Sequence, residues 1–378
     1  MKVLFQSEQL NYRGTTNSIV DYAHYNQEIL GNESVLIYNR ENPPGVDVGS
    51  EEDVIEELSK KFQVLSYGSE KELNDIAESY DLCYSQRSGM AKNTIIINVE
   101  SRLVNGSDYL KSGIKMDALV TSTKFGVHVV FQWHGPHGDV YAYISEWLSK
   151  QIKHNYSLEK DPLFVPYIVN LPEPTKSLRE ELGIPKDKFV IGRLGGYDTF
   201  DLPFVWEAVK ITAEIRDDIV FLFPNTMPFM NHKNVVFMDP FFDQQRKSNF
   251  IHTCDAMLHG RNLGESFGLA ISEFLYHNKP VIAWEGGFDR NHVNMLQPYD
   301  LLYTKENVFQ KIMELPDLVG AHDYKKIVEP FTPKNVMNKF KEVFIDADAI
   351  AYADGERIGS LPINVSIVPQ SLLTWRTS

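Results

Sequence analysis

Two glutamates eight residues apart, Glu265 and Glu273, flank a glycine at position 268. We expect Gly268 to open a helix whose first backbone N–H groups, at residues 267–269, point outward without partners. Such a helix start attracts an anionic phosphate, because the free donors and the positive end of the helix dipole coincide there. One carboxylate would lie on the turn and the other one turn further along the helix. The arrangement can hold a nucleotide sugar.

Short apolar runs on both sides place this motif between two strands. Residues 255–260 form one run before the motif, and residues 279–284 form another after it. Both are short enough and apolar enough to predict buried strands. The motif therefore belongs to a strand–turn–helix–strand unit.

Apolar runs and helical patterns alternate along the chain, which favours parallel sheets covered by helices. At 378 residues the chain exceeds the size at which a single core keeps growing. We expect an α/β protein with two Rossmann-like, doubly wound domains facing a central cleft. A proline-marked join near residue 172 divides residues 1–171 from residues 172–345, and residues 346–378 form an irregular tail. Ligands of such sheets bind beyond the carboxyl ends of the strands.

The motif around Glu265 resembles glycosyltransferase family 4, the group 1 glycosyltransferases. The shared residues are Glu265-Ser-Phe-Gly-Leu, then Glu273, then residues 278–282, and the resemblance is strongest over residues 164–284. It implies a retaining enzyme of the two-domain B-type glycosyltransferase fold, with the acceptor on the first domain, the donor on the second and a C-terminal tail that packs back on the first domain. It also implies that Glu265 contacts the donor hexose and that Glu273 holds the ribose hydroxyls. The remaining donor-binding residues of the motif would be Ser266, Phe267, Gly268 and Leu269.

A second segment places Arg193 at the end of a predicted strand, next to the glycine pair 195–196. The planar, permanently charged guanidinium suits a diphosphate that gains charge as the sugar leaves. The family resemblance implies a lysine several residues later, but this chain has none there. Arg261 is the candidate substitute, and a plain surface arginine is an equal alternative.

Two loops of the first half complete the expected site. His134 follows an apolar run at 128–131, and the resemblance implies a histidine at this level near the anomeric carbon, which makes His134 a catalytic candidate. His137 either orients a hydroxyl or is structural. Gly14 stands where the family carries a glycine-rich turn beside the donor phosphates, although a polar loop that caps the next helix explains it equally well.

Bulk composition limits the partners and the compartment. The net charge of −14 disfavours nucleic acid and anionic lipid surfaces. Cys83 and Cys254 predict buried, reduced thiols, and the polar N-terminus lacks the core of a signal peptide, so we expect a cytoplasmic protein without a membrane span. Asp346 and Asp348 could pair on a divalent cation, but their position predicts a solvated turn. We expect neither a metal nor a cofactor.

The combined hypothesis is a metal-independent, retaining glycosyltransferase that moves a hexose from a nucleoside diphosphate sugar to a hydroxyl acceptor, which we expect to be a carbohydrate. Two alternatives stay open. Nucleotide-sugar 2-epimerases share the fold, and the missing lysine also fits a nucleotide-sugar-binding protein without catalysis. Thr226 and residues 239–241 lie where the base could stack. Neither the base, the sugar, the acceptor nor the oligomeric state follows from the sequence.

Overall fold

The computed structural model describes residues 1–41, 49–89, 94–98, 117–121, 123–347, 351–353 and 356–357. Within them the chain forms two large, mainly parallel sheets with helices on their faces, one mostly from each half of the sequence, and two further sheets of two strands each. The α/β architecture expected from the alternating pattern is confirmed. None of the described helices is both long and apolar enough to cross a membrane.

The strands and helices are numbered here in chain order. The strands are β1 (Lys2–Ser7), β2 (Glu33–Asn39), β3 (Gln63–Tyr67), β4 (Leu82–Arg87), β5 (Thr94–Asn98), β6 (Asp117–Thr121), β7 (Lys124–Val129), β8 (Val140–Tyr143), β9 (Phe189–Gly192), β10 (Ile219–Pro224), β11 (Val235–Met238), β12 (Ala256–His259), β13 (Gly264–Glu265), β14 (Val281–Trp284), β15 (Asp289–Arg290), β16 (Leu302–Tyr303), β17 (Ala351–Ala353) and β18 (Glu356–Arg357). The helices are α1 (Gly14–Glu28), α2 (Glu52–Ser59), α3 (Glu70–Ala77), α4 (Glu146–Tyr156), α5 (Pro203–Ile215), α6 (Gln244–Thr253), α7 (Leu269–Tyr276), α8 (Asn291–Leu296), α9 (Val308–Leu318), α10 (Lys325–Val328) and α11 (Pro333–Phe340).

Both sheets grow in the same order. The first runs β18-β17-β8-β7-β4-β1-β2-β3, and the second runs β11-β10-β9-β12-β14-β16. In each, the chain adds strands on one side of the first strand and then returns to add the rest on the other side. The reversal lies between β1 and β4 in the first sheet and between β9 and β12 in the second. Such a switch point opens a crevice at the carboxyl ends of the strands, where ligands bind.

Close packing fixes the second switch point. Strand β10 is buried along its whole length, as its sequence Ile-Val-Phe-Leu-Phe-Pro predicts for a central strand. At the end of β9, a Cβ on Gly192 would lie only 2.4 Å from Sγ of Cys254. Cys83 and Cys254 are both buried and unpaired, as expected. The carboxyl end of β9 is therefore packed against the chain that leads into β12, without room for a larger residue.

The chain returns to the first sheet after the second is complete. Phe340 of α11 stacks on Tyr22 at 5.1 Å between ring centroids and meets Tyr84 at 5.2 Å. Further along, Ala351 of β17 pairs with Val140 of β8. This return already begins with α11. Residues 358–378, which form most of the predicted tail, lie outside the described residues.

Candidate functional site

The glycine turn opens a helix as the sequence predicts. Gly268 has a φ of +97° and no side chain caps the first turn of α7 after it. A residue with a Cβ adopts this left-handed backbone only with strain, so glycine is required here. The amino end of α7 is consequently unobstructed by a capping side chain, which leaves its backbone N–H groups to a ligand.

A second helix start faces the first across the two halves of the molecule. Helix α1 begins at Gly14, also without a side-chain cap. A Cβ built on Gly14 would lie 3.4 Å from Cδ1 of Leu269, the first residue of α7. Both switch points thus direct the positive end of a helix at the same place. Two predicted donor-binding residues, Gly14 and Leu269, are brought together here.

Glu265 lies on a small two-stranded ribbon. Strand β13 pairs in parallel with β15, with Gly264 opposite Asp289 and Glu265 opposite Arg290. Gly264 has a φ of +76°, and a Cβ there would lie 1.9 Å from the carbonyl oxygen of Asp289. Only glycine fits, because any side chain would push the two strands apart. The ribbon therefore fixes the position of Glu265.

Two donors hold the Glu265 carboxylate. Nε2 of His259 lies 3.0 Å from Oε1, and Nη1 of Arg261 donates to Oε2 at 3.2 Å. Burial raises the pKa of Glu265, but the charge of Arg261 and the hydrogen bond from His259 outweigh it and hold this pKa at about 2. The side chain keeps 19% of its surface exposed. It is an ionised, oriented acceptor that a ligand hydroxyl could reach.

Arg261 is part of this cluster rather than of the open surface. Its side chain is 28% exposed and its ion pair is with Glu265. Burial lowers the pKa of Arg261, but Glu265 and the nearby Asp289 and Asp201 raise it more. The arginine predicted as the substitute cation is present at the site, already paired with the carboxylate.

Arg193 does not stand free at the strand end. Nη1 donates to the carbonyl oxygen of Asn225 at 3.0 Å and to Oγ1 of Thr226 at 2.8 Å. Nη2 donates to the carbonyl oxygen of Gly196 at 2.8 Å and to Oγ1 of Thr199 at 2.7 Å. Four donors of this 2%-exposed side chain thus bind the protein itself, and the expected contact of Arg193 with a diphosphate stays a prediction. Arg193 shapes the loops beside the crevice.

Arg193 remains within electrostatic reach of the site. Burial lowers its pKa to about 10, and the nearby charges of Glu265 and Arg261 also act on that pKa. Its positive charge is retained at neutral pH. The guanidinium can therefore stabilise negative charge in the crevice at a distance, although its hydrogen bonds are directed elsewhere.

Glu273 lies one turn down α7 but is not free either. Nζ of Lys247 on α6 donates to its Oε1 at 2.7 Å, and the two side chains are 8% and 11% exposed. Asp21 of α1 faces this pair from the first half of the chain, and burial raises the pKa of Asp21 to about 8. Glu273, which is expected to hold the ribose hydroxyls, thus sits in a buried ion pair with Lys247. Lys247, missed in the sequence, shares the buried face of α6 with Phe250.

Phe267 and Ser266 contribute backbone rather than side chains. The ring of Phe267 is 2% exposed and packs on Tyr167 and Phe331, with centroids 5.2 and 5.1 Å apart. The carbonyl oxygen of Ser266 accepts a 2.7 Å hydrogen bond from Oγ of Ser145, which also caps α4. The phenylalanine of the motif anchors the helix start in the core, and Ser266 joins it to the first half of the molecule.

His134 lies on the loop between β7 and β8, in a tyrosine-lined setting. Its Nδ1 is 2.8 Å from the hydroxyl of Tyr143, and that hydroxyl donates to the carbonyl oxygen of Trp133 at 3.0 Å. This network assigns the proton of His134 to Nδ1 and leaves Nε2 as an acceptor. Burial lowers the pKa of His134 to about 4, so the ring is neutral at pH 7.

The loop of His134 is tied to the Glu265 ribbon by a residue that sequence reasoning missed. Nε2 of Gln132 donates to the carbonyl oxygen of Phe288 and to Oδ1 of Asp289, both at 2.9 Å. Asp289 is the strand partner of Gly264. Gln132 is 8% exposed, and the signal that the sequence offers is an amide side chain two residues before a candidate catalytic histidine. His137 instead bonds the carbonyl oxygen of Gly135 through Nδ1 at 2.7 Å.

Further residues near the candidate site and in the tail have other contacts. His292 is 1% exposed, its Nε2 bonds the carbonyl oxygen of Trp284, and its ring lies 5.8 Å from that of His259. Pro240 and Phe241 line a cavity with Tyr12 of the first half. Asp346 is paired with Lys341, while Asp348 lies outside the described residues. In the part of the chain that the structure describes, no three His, Cys, Asp or Glu side chains are grouped to hold a metal ion.

Comparison with solved structures identifies the fold. The chain is similar to Anabaena Alr3699/HepE, solved with UDP-glucose, at 15% identity and a TM-score of 0.62. The alignment covers 90% of this chain and 98% of that one. It is also similar to a glycosyltransferase from Rickettsia africae, at 14% identity and a TM-score of 0.60, with 91% of this chain and 99% of that one aligned. A structure described as a candidate UDP-N-acetylglucosamine 2-epimerase from Listeria monocytogenes matches at 12% identity and a TM-score of 0.51. The alignment covers 96% of this chain and 99% of that one.

These similarities show the two-domain B-type glycosyltransferase fold, which confirms the fold expected from the sequence resemblance. No protein-family model matches the chain, and no curated protein matches it in sequence. Membership of glycosyltransferase family 4 itself stays a prediction.

Proposed function

We propose that the protein is a metal-independent, retaining glycosyltransferase that moves a hexose from a nucleoside diphosphate sugar to a hydroxyl acceptor. The observation that carries this proposal is the meeting of two uncapped helix starts, at Gly14 and Leu269, beside the ionised Glu265. Backbone donors and helix dipoles suit a diphosphate, and an oriented carboxylate suits sugar hydroxyls. The structures of this fold named above include one solved with UDP-glucose, which supports UDP-glucose as the first donor to test.

The proposed step exchanges one bond at the anomeric carbon. The bond from that carbon to the β-phosphate oxygen breaks, and a bond to the acceptor oxygen forms on the same face. The departing phosphate receives the hydroxyl proton. Charge that develops on the phosphate is stabilised by the helix starts and by the nearby positive charge of Arg193, so the proposal assigns no step to a metal ion.

The side chains receive distinct roles in this proposal. Glu265 orients the hexose and supports the positive ring of the transition state. Neutral His134 accepts a hydrogen bond from the reacting sugar through Nε2, because its Nδ1 proton is held by Tyr143. Gln132 keeps the loop of His134 against the ribbon of Glu265 and thereby excludes water between the domains. Phe241 and Tyr12 line the place proposed for the base.

The test is release of UDP from UDP-glucose, with and without a panel of sugar acceptors. Glu265→Gln keeps the shape and removes the charge, and the rate is expected to fall about 100-fold or more. Glu214→Gln, an exposed glutamate near the end of α5, is the matched control and should keep the wild-type rate. Equal rates for Glu265→Gln and the wild type would remove the role of Glu265. No turnover of UDP-, GDP- or ADP-glucose would remove the proposal.

The similarity to the structure described as an epimerase supports nucleotide-sugar 2-epimerase activity as a second candidate function. An epimerase needs no acceptor, so incubation with UDP-N-acetylglucosamine alone would yield a new epimer by NMR. Binding of a nucleotide sugar with neither an epimer nor a transfer product would instead favour a binding protein without catalysis.

A further inference from the structure

His259 is a buried imidazole that contacts the central carboxylate. It ends β12, six residues before Glu265, and is 5% exposed. Its Nε2 lies 3.0 Å from Oε1 of Glu265. A carboxylate with a pKa of about 2 only accepts hydrogen bonds at neutral pH, so Nε2 must carry a proton and donate it.

The two donors to Glu265 approach different oxygens. His259 bonds Oε1, whereas Arg261 bonds Oε2 at 3.2 Å. One donor alone would let the carboxylate swing about its last torsion, because that torsion has a broad energy well. Two donors on separate oxygens fix its plane. The remaining lone pairs are then presented in a defined direction to hydroxyl groups in the crevice.

The surroundings of His259 do not explain why it is a histidine. Its ring packs 5.8 Å from the ring of His292, which donates to the carbonyl oxygen of Trp284 instead. Nδ1 of His259 is buried without a hydrogen-bond partner among the described residues. A buried, unpaired nitrogen costs free energy that an apolar side chain of similar size would avoid. The hydrogen bond to Glu265 is the contact that offsets this cost.

We propose that His259 is a positioning residue that aims Glu265 at the sugar of the donor and does not contact the nucleotide. This inference rests on the proposed glycosyltransferase function. It predicts that losing the imidazole impairs the step at the sugar and spares the binding of UDP. A residue that merely fills the core would not separate these two properties.

Three variants separate positioning from packing. His259→Leu fills a similar volume without a donor. His259→Gln places an amide N–H near the position of Nε2 and keeps the donation. His277→Leu removes a half-buried histidine outside the cluster, whose Nε2 lies 3.5 Å from Oγ of Ser248, and serves as the control.

The full-length variants are compared by UDP release from UDP-glucose and by titration calorimetry with UDP. His259→Leu should lower the rate about 10- to 100-fold, the usual consequence of losing a hydrogen bond to a charged group. Its Kd for UDP should stay within about twofold of the wild type. The acid limb of the rate should move to higher pH, because the pKa of Glu265 rises without the donor. His259→Gln should recover most of the rate, and His277→Leu should match the wild type.

Each other outcome overturns the inference. A wild-type rate and acid limb in His259→Leu, or a parallel loss of UDP affinity, would refute positioning while the glycosyltransferase proposal stands. If the wild type binds none of UDP-, GDP- and ADP-glucose, the proposed function fails and the inference falls with it. Should His259→Leu not fold, His259→Asn takes its place, since its shorter amide cannot reach Glu265 and must therefore lose the rate that His259→Gln keeps.

Discussion

Glu265 and Glu273 come from one sequence motif, but the protein holds them in opposite ways. Glu265 lies on a ribbon at the mouth of the second switch point, with two donors on its carboxylate and 19% of its side chain exposed. Glu273 lies inside, paired with Lys247 and faced by Asp21 from the other domain. The spacing brings both carboxylates to one helix start. Residues outside the motif decide which of them is presented to a ligand.

Because Glu265 and Glu273 are held differently, we expect the two ends of the 265–273 segment to have separate roles. The cluster of Glu265, His259 and Arg261 is proposed to act on the sugar. The cluster of Glu273, Lys247 and Asp21 joins α1 of the first domain to α6 and α7 of the second, so it is proposed to set how the domains meet. Variants in each cluster should therefore affect different measurements.

The largest effect is expected from Lys247→Met. It leaves Glu273 buried without its cation, which should destabilise the fold by about 3–5 kcal/mol in urea unfolding monitored by circular dichroism. Lys233→Met is the matched control, because Lys233 pairs with Asp217 at 2.8 Å on the open surface and should cost at most about 1 kcal/mol. Equal losses in the two variants would mean that the Glu273 cluster is not structural.

The next largest effect is expected from Gly264→Ala, in the strand that carries Glu265. The added Cβ would meet the carbonyl oxygen of Asp289 at 1.9 Å and strain a φ of +76°. We expect a loss of roughly 1–3 kcal/mol together with most of the activity, because the ribbon shifts. Gly183→Ala has a similar φ of +66° and nothing within 4 Å of the new Cβ, so it isolates the backbone strain. Full activity in Gly264→Ala would show that the ribbon does not fix the position of Glu265.

Arg261→Met should lower activity more than stability. Removing the charge raises the pKa of Glu265 and frees one carboxylate oxygen, so we expect UDP release from UDP-glucose to slow about tenfold. The side chain is 28% exposed, so the loss in free energy of unfolding should be smaller than the about 3–5 kcal/mol expected for the more deeply buried Lys247. A variant that loses stability without losing rate would reverse the assignment of the two clusters.

The last prediction is a pH dependence of stability in the Glu273 cluster. The folded protein keeps a proton on Asp21, whose pKa is about 8, up to that pH, whereas the unfolded chain releases it near 3.8. The unfolded state therefore binds fewer protons between these values, and stability falls as pH rises through the window. Asp21→Asn removes this loss, so its Tm gain over the wild type should be larger at pH 8.5 than at pH 5. A gain independent of pH would contradict the raised pKa.

Local patterns predicted the secondary structure around the site well. The strand before Glu265, the glycine that opens α7 and the strand after it are all present, because burial periodicity and a required left-handed glycine are readable from neighbouring residues. Strand β8 was missed, since its four residues, Val-Tyr-Ala-Tyr, are too few to show a period. Strand β7 lies at residues 124–129, earlier than the apolar run at 128–131 suggested.

Long-range partners could not be predicted in the same way. Lys247 meets Glu273 across 26 residues, and Gln132 meets Asp289 across 157. Such pairs depend on how distant elements pack, within one domain for Lys247 and between the domains for Gln132, and no local pattern encodes this packing. The same reason explains Arg193: its type and position suited a phosphate, but the loops at 196–199 and 225–226 supply four acceptors for it. The roles of all these residues in a reaction stay predictions.

The central claim is that a diphosphate sits where the starts of α1 and α7 meet. Calorimetric titration of UDP into Gly14→Asp tests it most directly, because an acidic residue at a helix start favours the helix and should leave the fold intact. Gln27→Glu adds the same charge at the other end of α1 and is the control. We predict that UDP binding is weakened roughly 10- to 100-fold in Gly14→Asp and unchanged in Gln27→Glu. Wild-type affinity for UDP in Gly14→Asp would contradict it.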